Sequence, residues 1–263
     1  MEVHHHPQVE NKRFKEYFLE FVMIFLAVTL GFFAENLREH ITDTNREKEY
    51  ATELYKELKA DSIAVVEKIN SRLNKEKYCD YLYSYIKDSS LTDLPKKFYL
   101  AYTVVFYLIN SYTFEPMDGV LNQLKTSGSL RYFKNAELQK LFGDMSVAIN
   151  NVRYRNDQEY QFFASPIKAF LLQHYDFKWM NDARSLSPDA YSLDLMNLYM
   201  NSDTTIKAVI LNLPTFSRSE AANMVMFYKV MMMSSRTLQM NDYIKTNAKL
   251  LQVLRRYYHL KNE

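Results

Sequence analysis

The chain is poor in glycine, with four in 263 residues. Doubly wound folds and barrels spend glycine at turns and phosphate loops, so this composition excludes both. Cysteine occurs once, at Cys79. A single thiol forms no intramolecular disulfide, and it leaves the compartment open. Charge of one sign is also missing: the formal net charge is +2, with basic and acidic residues interspersed. That leaves no electrostatic footprint for nucleic acid. Catalytic signatures are absent too. The chain has no H-E-x-x-H, G-x-S-x-G, C-x-x-C or G-x-G-x-x-G, and Gly119 and Gly128 lack the Lys-Ser/Thr of a phosphate loop. The expectation is a protein that is not an enzyme, with no catalytic residue, no cofactor and no dedicated metal ligand.

What is present points to helices. Six prolines, few glycines and abundant Leu, Lys, Glu, Asn, Met and Tyr predict an all-α protein. The 21 tyrosines and 17 phenylalanines suit cores between long helices, with tyrosine hydroxyls reaching the surface.

The most informative stretch is YFLEFVMIFLAVTLGFFA, Tyr17 to Ala34, an apolar run with one charge, Glu20. At ~1.5 Å per residue such a helix spans roughly 27 Å, against a hydrocarbon core of about 30 Å. Lys12, Arg13 and Lys15 on one side and Arg38 on the other can snorkel, while Tyr17, Phe32 and Phe33 suit the interfaces. The exit GFFAENLREH is bulky and charged, unlike the small residues of a signal-peptidase site. A transmembrane helix is therefore expected. The basic residues flanking its start put the N-terminus in the cytoplasm and the rest of the chain outside it.

The expected organisation is a polar tail (1–16), the span (17–34), a long amphipathic stalk helix (35–88) and a helical bundle (89–263). On the stalk helix, Leu54, Leu58, Val65, Ile69 and Leu73 step by four and seven and predict one narrow buried stripe, with the charged residues on a solvated face. Further helices are predicted over about 96–112, 117–125, 135–175 with a kink at Pro166, 204–211, and from Ser217 or Ser219 to about Lys261. Asn135 suits an N-cap, and Gly128 a left-handed helix end. The stretch 179–202 reads as less regular.

Two segments, EFVMIFLAVTLGFFAENLREH (20–40) and TFEPMDGVLNQLKTSGSLRYFKNAELQKLF (113–142), carry a resemblance. Together they resemble a family of uncharacterised bacterial membrane proteins with an acidic start to an N-terminal span and a downstream L-K-S-S-G-x-L-R segment. Here the matching positions are Leu124, Lys125, Thr126, Ser127, Gly128, Leu130 and Arg131. The resemblance covers the first half of the chain better than the second. It implies a single-pass envelope protein, placed by the basic flank in the inner (cytoplasmic) membrane with a periplasmic C-terminal domain. It brings no activity.

Glu20, about one turn into the run, is an intramembrane ionisable site in one reading and a group at headgroup depth in the other. Ala27, Gly31 and Ala34 step by four and three and form a face for span packing. His4, His5 and His6 on a polar tail cannot close a tetrahedral metal site alone. His40, His174 and His259 read as surface or satisfied core residues. Met224, Met226, Met231, Met232 and Met233 read as core or oligomer packing. Arg153, Arg155, Asp157 and Glu159 read as ion pairs along one helix. The expected function is a membrane-anchored, non-enzymatic envelope protein working through protein contacts. The alternative is an oligomeric ion-conducting or ion-coupled protein using Glu20. The expected partners are the lipid bilayer and a second copy or another envelope protein, with no nucleic acid.

Overall fold

The structure, a computed structural model, describes residues 14–260. Its helices are α1 (Phe14–Asp88), α2 (Lys96–Tyr102), α3 (Gly119–Thr126), α4 (Ala136–Phe162), α5 (Lys168–His174), α6 (Phe177–Ala183), α7 (Ser192–Asn201), α8 (Arg218–Ser234) and α9 (Asn241–Tyr258). Among the described residues there is no strand, only a bridge between Tyr175 and Ile210, and the chain is all-α. Contacts divide it into two units, Met1–Tyr50 and Ala51–Glu263, with α1 contributing to both.

In the first unit the described chain is the start of α1. Thr29, Thr42 and Thr44 donate their hydroxyls to the carbonyls one turn back, at 2.7–2.8 Å, so these polar groups are satisfied within the helix. Phe21 stacks on Phe25 at 6.2 Å, and Arg38 pairs with Glu35. Most apolar side chains here stay exposed, Val22 and Tyr50 being partly covered.

In the second unit α1 buries a heptad seam. Ala51, Leu58, Val65, Arg72, Cys79 and Ile86 recur every seven residues and are all buried. Leu54, Asp61, Lys75 and Leu82 occupy the other inward row. A seven-residue repeat keeps one stripe facing the same neighbours along a helix. This corrects the expected stripe. Leu54, Leu58 and Val65 are on it, but Leu73 is exposed and Arg72 and Lys75 take the inward positions beside it. The side chains expected on a solvated face are thus the most enclosed charges of the unit.

The apolar core falls into two parts along this seam. One joins the end of α1 to α2, α5, α6, α7 and α8 and is rich in rings, including Phe98, Tyr102, Tyr175 and Trp179. The other buries Leu138, Leu141, Phe142, Met145, Ile149 and Val152 of α4, with Leu250, Val253 and Leu254 of α9. Ala136, in the first turn of α4, is exposed.

Local signals set several ends. The Asn135 side chain accepts from Glu137 N at 2.9 Å and Leu138 N at 3.1 Å, capping α4. Ser217 accepts from Glu220 N at 3.2 Å and caps α8. Gly128, at φ 71°, supplies the left-handed residue after α3. Arg218 donates to the carbonyls of Ile86 and Ser89, at 2.6 and 2.8 Å, and so closes the C-terminus of α1. Pro166 sits in a π-helical turn, Phe163–Ile167, between α4 and α5, and a second such turn, Ser235–Met240, joins α8 to α9.

Three expectations are corrected. The helix after Pro95 leaves helical geometry at Leu108, following a π turn over Thr103–Tyr107, rather than at Tyr112. Residues 179–202 are more regular than expected, because they hold most of α6 and all of α7. Conversely, 204–211 is not helical. Its β-branched run (Thr204, Thr205, Ile206, Val209, Ile210) favours extended backbone, and Ile210 bridges to Tyr175.

Candidate functional site

The chemistry of the second unit concentrates where its core turns polar. Arg72 of α1 meets Glu159 of α4 in a two-pronged ion pair, Nη1 to Oε1 at 2.8 Å and Nη2 to Oε2 at 3.0 Å. Both side chains are about 1% exposed. The third arm of the guanidinium, Nε, donates to the Tyr112 carbonyl at 2.8 Å. On the far side, the Ser235 hydroxyl of the second π turn donates its one proton to Glu159, with the Met231 carbonyl as the other acceptor in reach at 3.0 Å. Arg155 in turn donates to Ser235 Oγ at 3.1 Å and to the Met231 carbonyl at 3.2 Å. A buried ion pair is tolerated only where its remaining polar atoms find partners, and here each nitrogen of Arg72 and each carboxylate oxygen of Glu159 has at least one.

One turn along α1, Lys75 is fully buried. Its ammonium lies 3.0 Å from the Tyr228 hydroxyl and 3.4 Å from the Leu108 carbonyl. It also sits over the rings of Tyr112 and Tyr228, at 4.3 and 4.7 Å. Burial pulls its pKa down to about 7, with Arg72 pushing the same way and Cys79 and Glu159 opposing. Burial likewise pushes the Cys79 thiol up to about 12, and the Tyr228 phenol well above its ordinary value. An amine poised near neutrality is a reactive group in principle. Lys75 is sealed from solvent, however, so it has no path to a substrate and acts on the fold.

A second polar knot joins α1 to the segment before α3. Asp61, itself buried, accepts from Met117 N at 2.9 Å and from the Tyr243 hydroxyl of α9. Glu57 accepts from Val120 N at 3.2 Å. Burial raises the pKa of both carboxyls. Close by, Arg153 of α4 gathers Glu115 and Asp118.

The four charged residues expected to pair along α4 do not do so. At 100° per residue Arg153 faces one way while Arg155 and Glu159 share another side. Arg153 therefore joins Glu115 and Asp118, and Glu159 takes Arg72. Sequence reasoning missed the polar layer because Arg72 and Lys75 lie in a lysine-rich stretch. The seven-residue spacing Leu58, Val65, Arg72, Cys79, Ile86 is the signal that finds Arg72, and the parallel row Leu54, Asp61, Lys75, Leu82 is the one that finds Lys75.

Among the other sequence-predicted residues, Glu20, Ala27, Gly31 and Ala34 are exposed on α1. At 100° per residue they fall within an arc of about 60°. A Cβ placed on Gly31 meets nothing within 4 Å, so the chain's own packing does not require this glycine. His4, His5 and His6 lie outside the described residues. His174 is buried, 3.0 Å from the Leu211 carbonyl and against Phe170 and Phe216. Met224, Met231 and Met232 are core residues, whereas Met233 is exposed. Among the described residues no three His, Cys, Asp or Glu side chains converge as metal ligands would. No protein-family model, curated protein or solved structure matches the chain.

Proposed function

We propose that this chain is a membrane-anchored, non-enzymatic envelope protein that works through protein contacts, as an anchor, assembly factor or sensor-like module. One observation carries the reading. The apolar 18-residue window near the start of α1 is long enough to cross a bilayer, and none of it is buried within the structure. Phe21, Ile24, Leu30 and Phe32 are each more than 60% exposed. Apolar surface left in water costs about 25 cal/mol per Å², which favours lipid around such a helix. Lys12, Arg13 and Lys15 before the run favour a cytoplasmic N-terminus in an inner membrane, with the C-terminal domain in the periplasm.

The test replaces Leu26 and Leu30 by arginine. Neither side chain is buried, so the rest of the fold keeps its contacts. Each arginine near the centre of a span costs roughly 2.5–3.5 kcal/mol of insertion free energy. The wild-type chain is expected to stay in the membrane pellet after alkaline carbonate extraction, and the double variant to move to the supernatant. Release of the wild-type chain would sink the reading.

A second reading, ion conduction or coupling by an oligomer, draws on the arc that Glu20 shares with Ala27, Gly31 and Ala34. Glycine costs about 1 kcal/mol relative to alanine in a helix, and close approach of a second helix is a use for it. Packing through this arc gathers the Glu20 carboxyls of the copies. Glu20→Gln is then expected to abolish proton or cation flux in liposomes holding the full chain. Flux equal to wild type would remove Glu20 from the account.

A further inference from the structure

The second unit carries a surface cleft of about 450 Å³ between α1, the start of α2, the turn at Ser111–Tyr112 and α7. That volume is in the range of small-molecule sites. Its walls combine two kinds of group. Lys77 and Lys97 supply ammonium groups, while Tyr78, Tyr81 and Tyr112 supply rings. No acidic side chain lines it.

Neither ammonium group makes an ion pair with a described residue. The carboxylates that flank Lys77 on α1 are committed elsewhere: Glu76 is held by Arg236 at 2.9 and 3.1 Å, and Asp80 by Lys229 of α8. Lys77 donates to the Asn74 amide oxygen at 3.3 Å, a neutral partner. Lys97 lies over the Tyr81 ring, 4.4 Å from its centroid. A ring face attracts a cation but does not neutralise it. Like charges gathered in a concave surface raise the local concentration of anions. The Tyr112 wall is also tied inward, through the Lys75 ammonium at its ring and Arg72 at its carbonyl.

We propose that this cleft binds a small organic anion with a planar ring. Its phosphate or carboxylate pairs with Lys77 and Lys97, and its ring lies against Tyr78 and Tyr81. The inference goes beyond membrane anchoring and does not depend on it.

The experiment titrates 1-naphthyl phosphate into the full chain in detergent micelles by isothermal calorimetry, with protein-free micelles subtracted. The expected result is saturable one-to-one binding, with inorganic phosphate at least about tenfold weaker because it lacks the ring. Lys77→Gln with Lys97→Gln is expected to weaken the probe by about tenfold or more, and Tyr81→Leu to weaken it while leaving inorganic phosphate unaffected. Lys77 and Lys97 are exposed, so glutamine leaves the core untouched, and the single variants back up the double one. An absence of saturation by about 5 mM, or undiminished affinity in the folded lysine variants, would overturn the proposal.

Discussion

Replacing Arg72 by methionine is expected to destabilise the second unit by about 3–5 kcal/mol, the usual cost of leaving one member of a buried ion pair alone. The methionine fills most of the space but supplies none of the donors. Glu159 then keeps only Ser235, and the Tyr112 carbonyl loses its partner. The double variant Arg72→Met, Glu159→Leu should recover most of that loss, since well-packed apolar residues often replace a buried pair at no net cost. Trp179 makes the measurement direct. It is the chain's one tryptophan and is buried in the aromatic half of the core, so urea unfolding followed by its fluorescence reads this unit. A single variant as stable as wild type would mean that the pair contributes nothing to holding α1 against α4.

Lys75→Met is expected to act in the other direction, stabilising by about 1 kcal/mol or more at pH 7 and below, where the enclosed amine has to hold its proton. The sign follows from linkage. In the unfolded chain the amine binds its proton up to its ordinary pKa of 10.5, whereas in the fold it releases it at about 7. Between those values the unfolded state holds more protons, so stability rises with pH, by at most ~1.4 kcal/mol per unit for one group. Cys79 opposes this above pH 9, because its thiol stays protonated in the fold up to about 12. Tyr112 and Tyr228, with raised pKa values, oppose it in the alkaline range as well. Arg72 and Glu159, the other charges facing the amine, cancel in sign. The clean window is therefore pH 7 to 9. Wild type should gain stability across it, and Lys75→Met should flatten the gain. Parallel slopes for the two proteins would show that the amine does not titrate there.

Local structure was largely written in the sequence. The shortage of glycine and the wealth of helix formers gave an all-α chain. Asn135, Ser217 and Gly128 act through atoms a few residues away, so their roles at helix ends were legible. The apolar run at Tyr17–Ala34 declared itself by length alone. The failures share a cause. The segment 204–211 was expected as a helix, but its bridge partner, Tyr175, lies more than thirty positions earlier. The apolar residues of α1 alone point the stripe toward Leu73 and leave Arg72 and Lys75 in water, whereas both are buried.

What the sequence by itself determined is therefore helix content, most capped ends, the long apolar run and the lack of catalytic signatures. These depend on propensity and on contacts within a turn or two. What only the tertiary structure decided is which charges are inside. Burying Arg72 requires a carboxylate 87 positions away, and Lys75 rests on a tyrosine 153 positions away. The Arg72 charge leaves water because Glu159 offsets its lost solvation, the Lys75 amine meets only neutral partners and its pKa falls, and no local pattern states where these partners are.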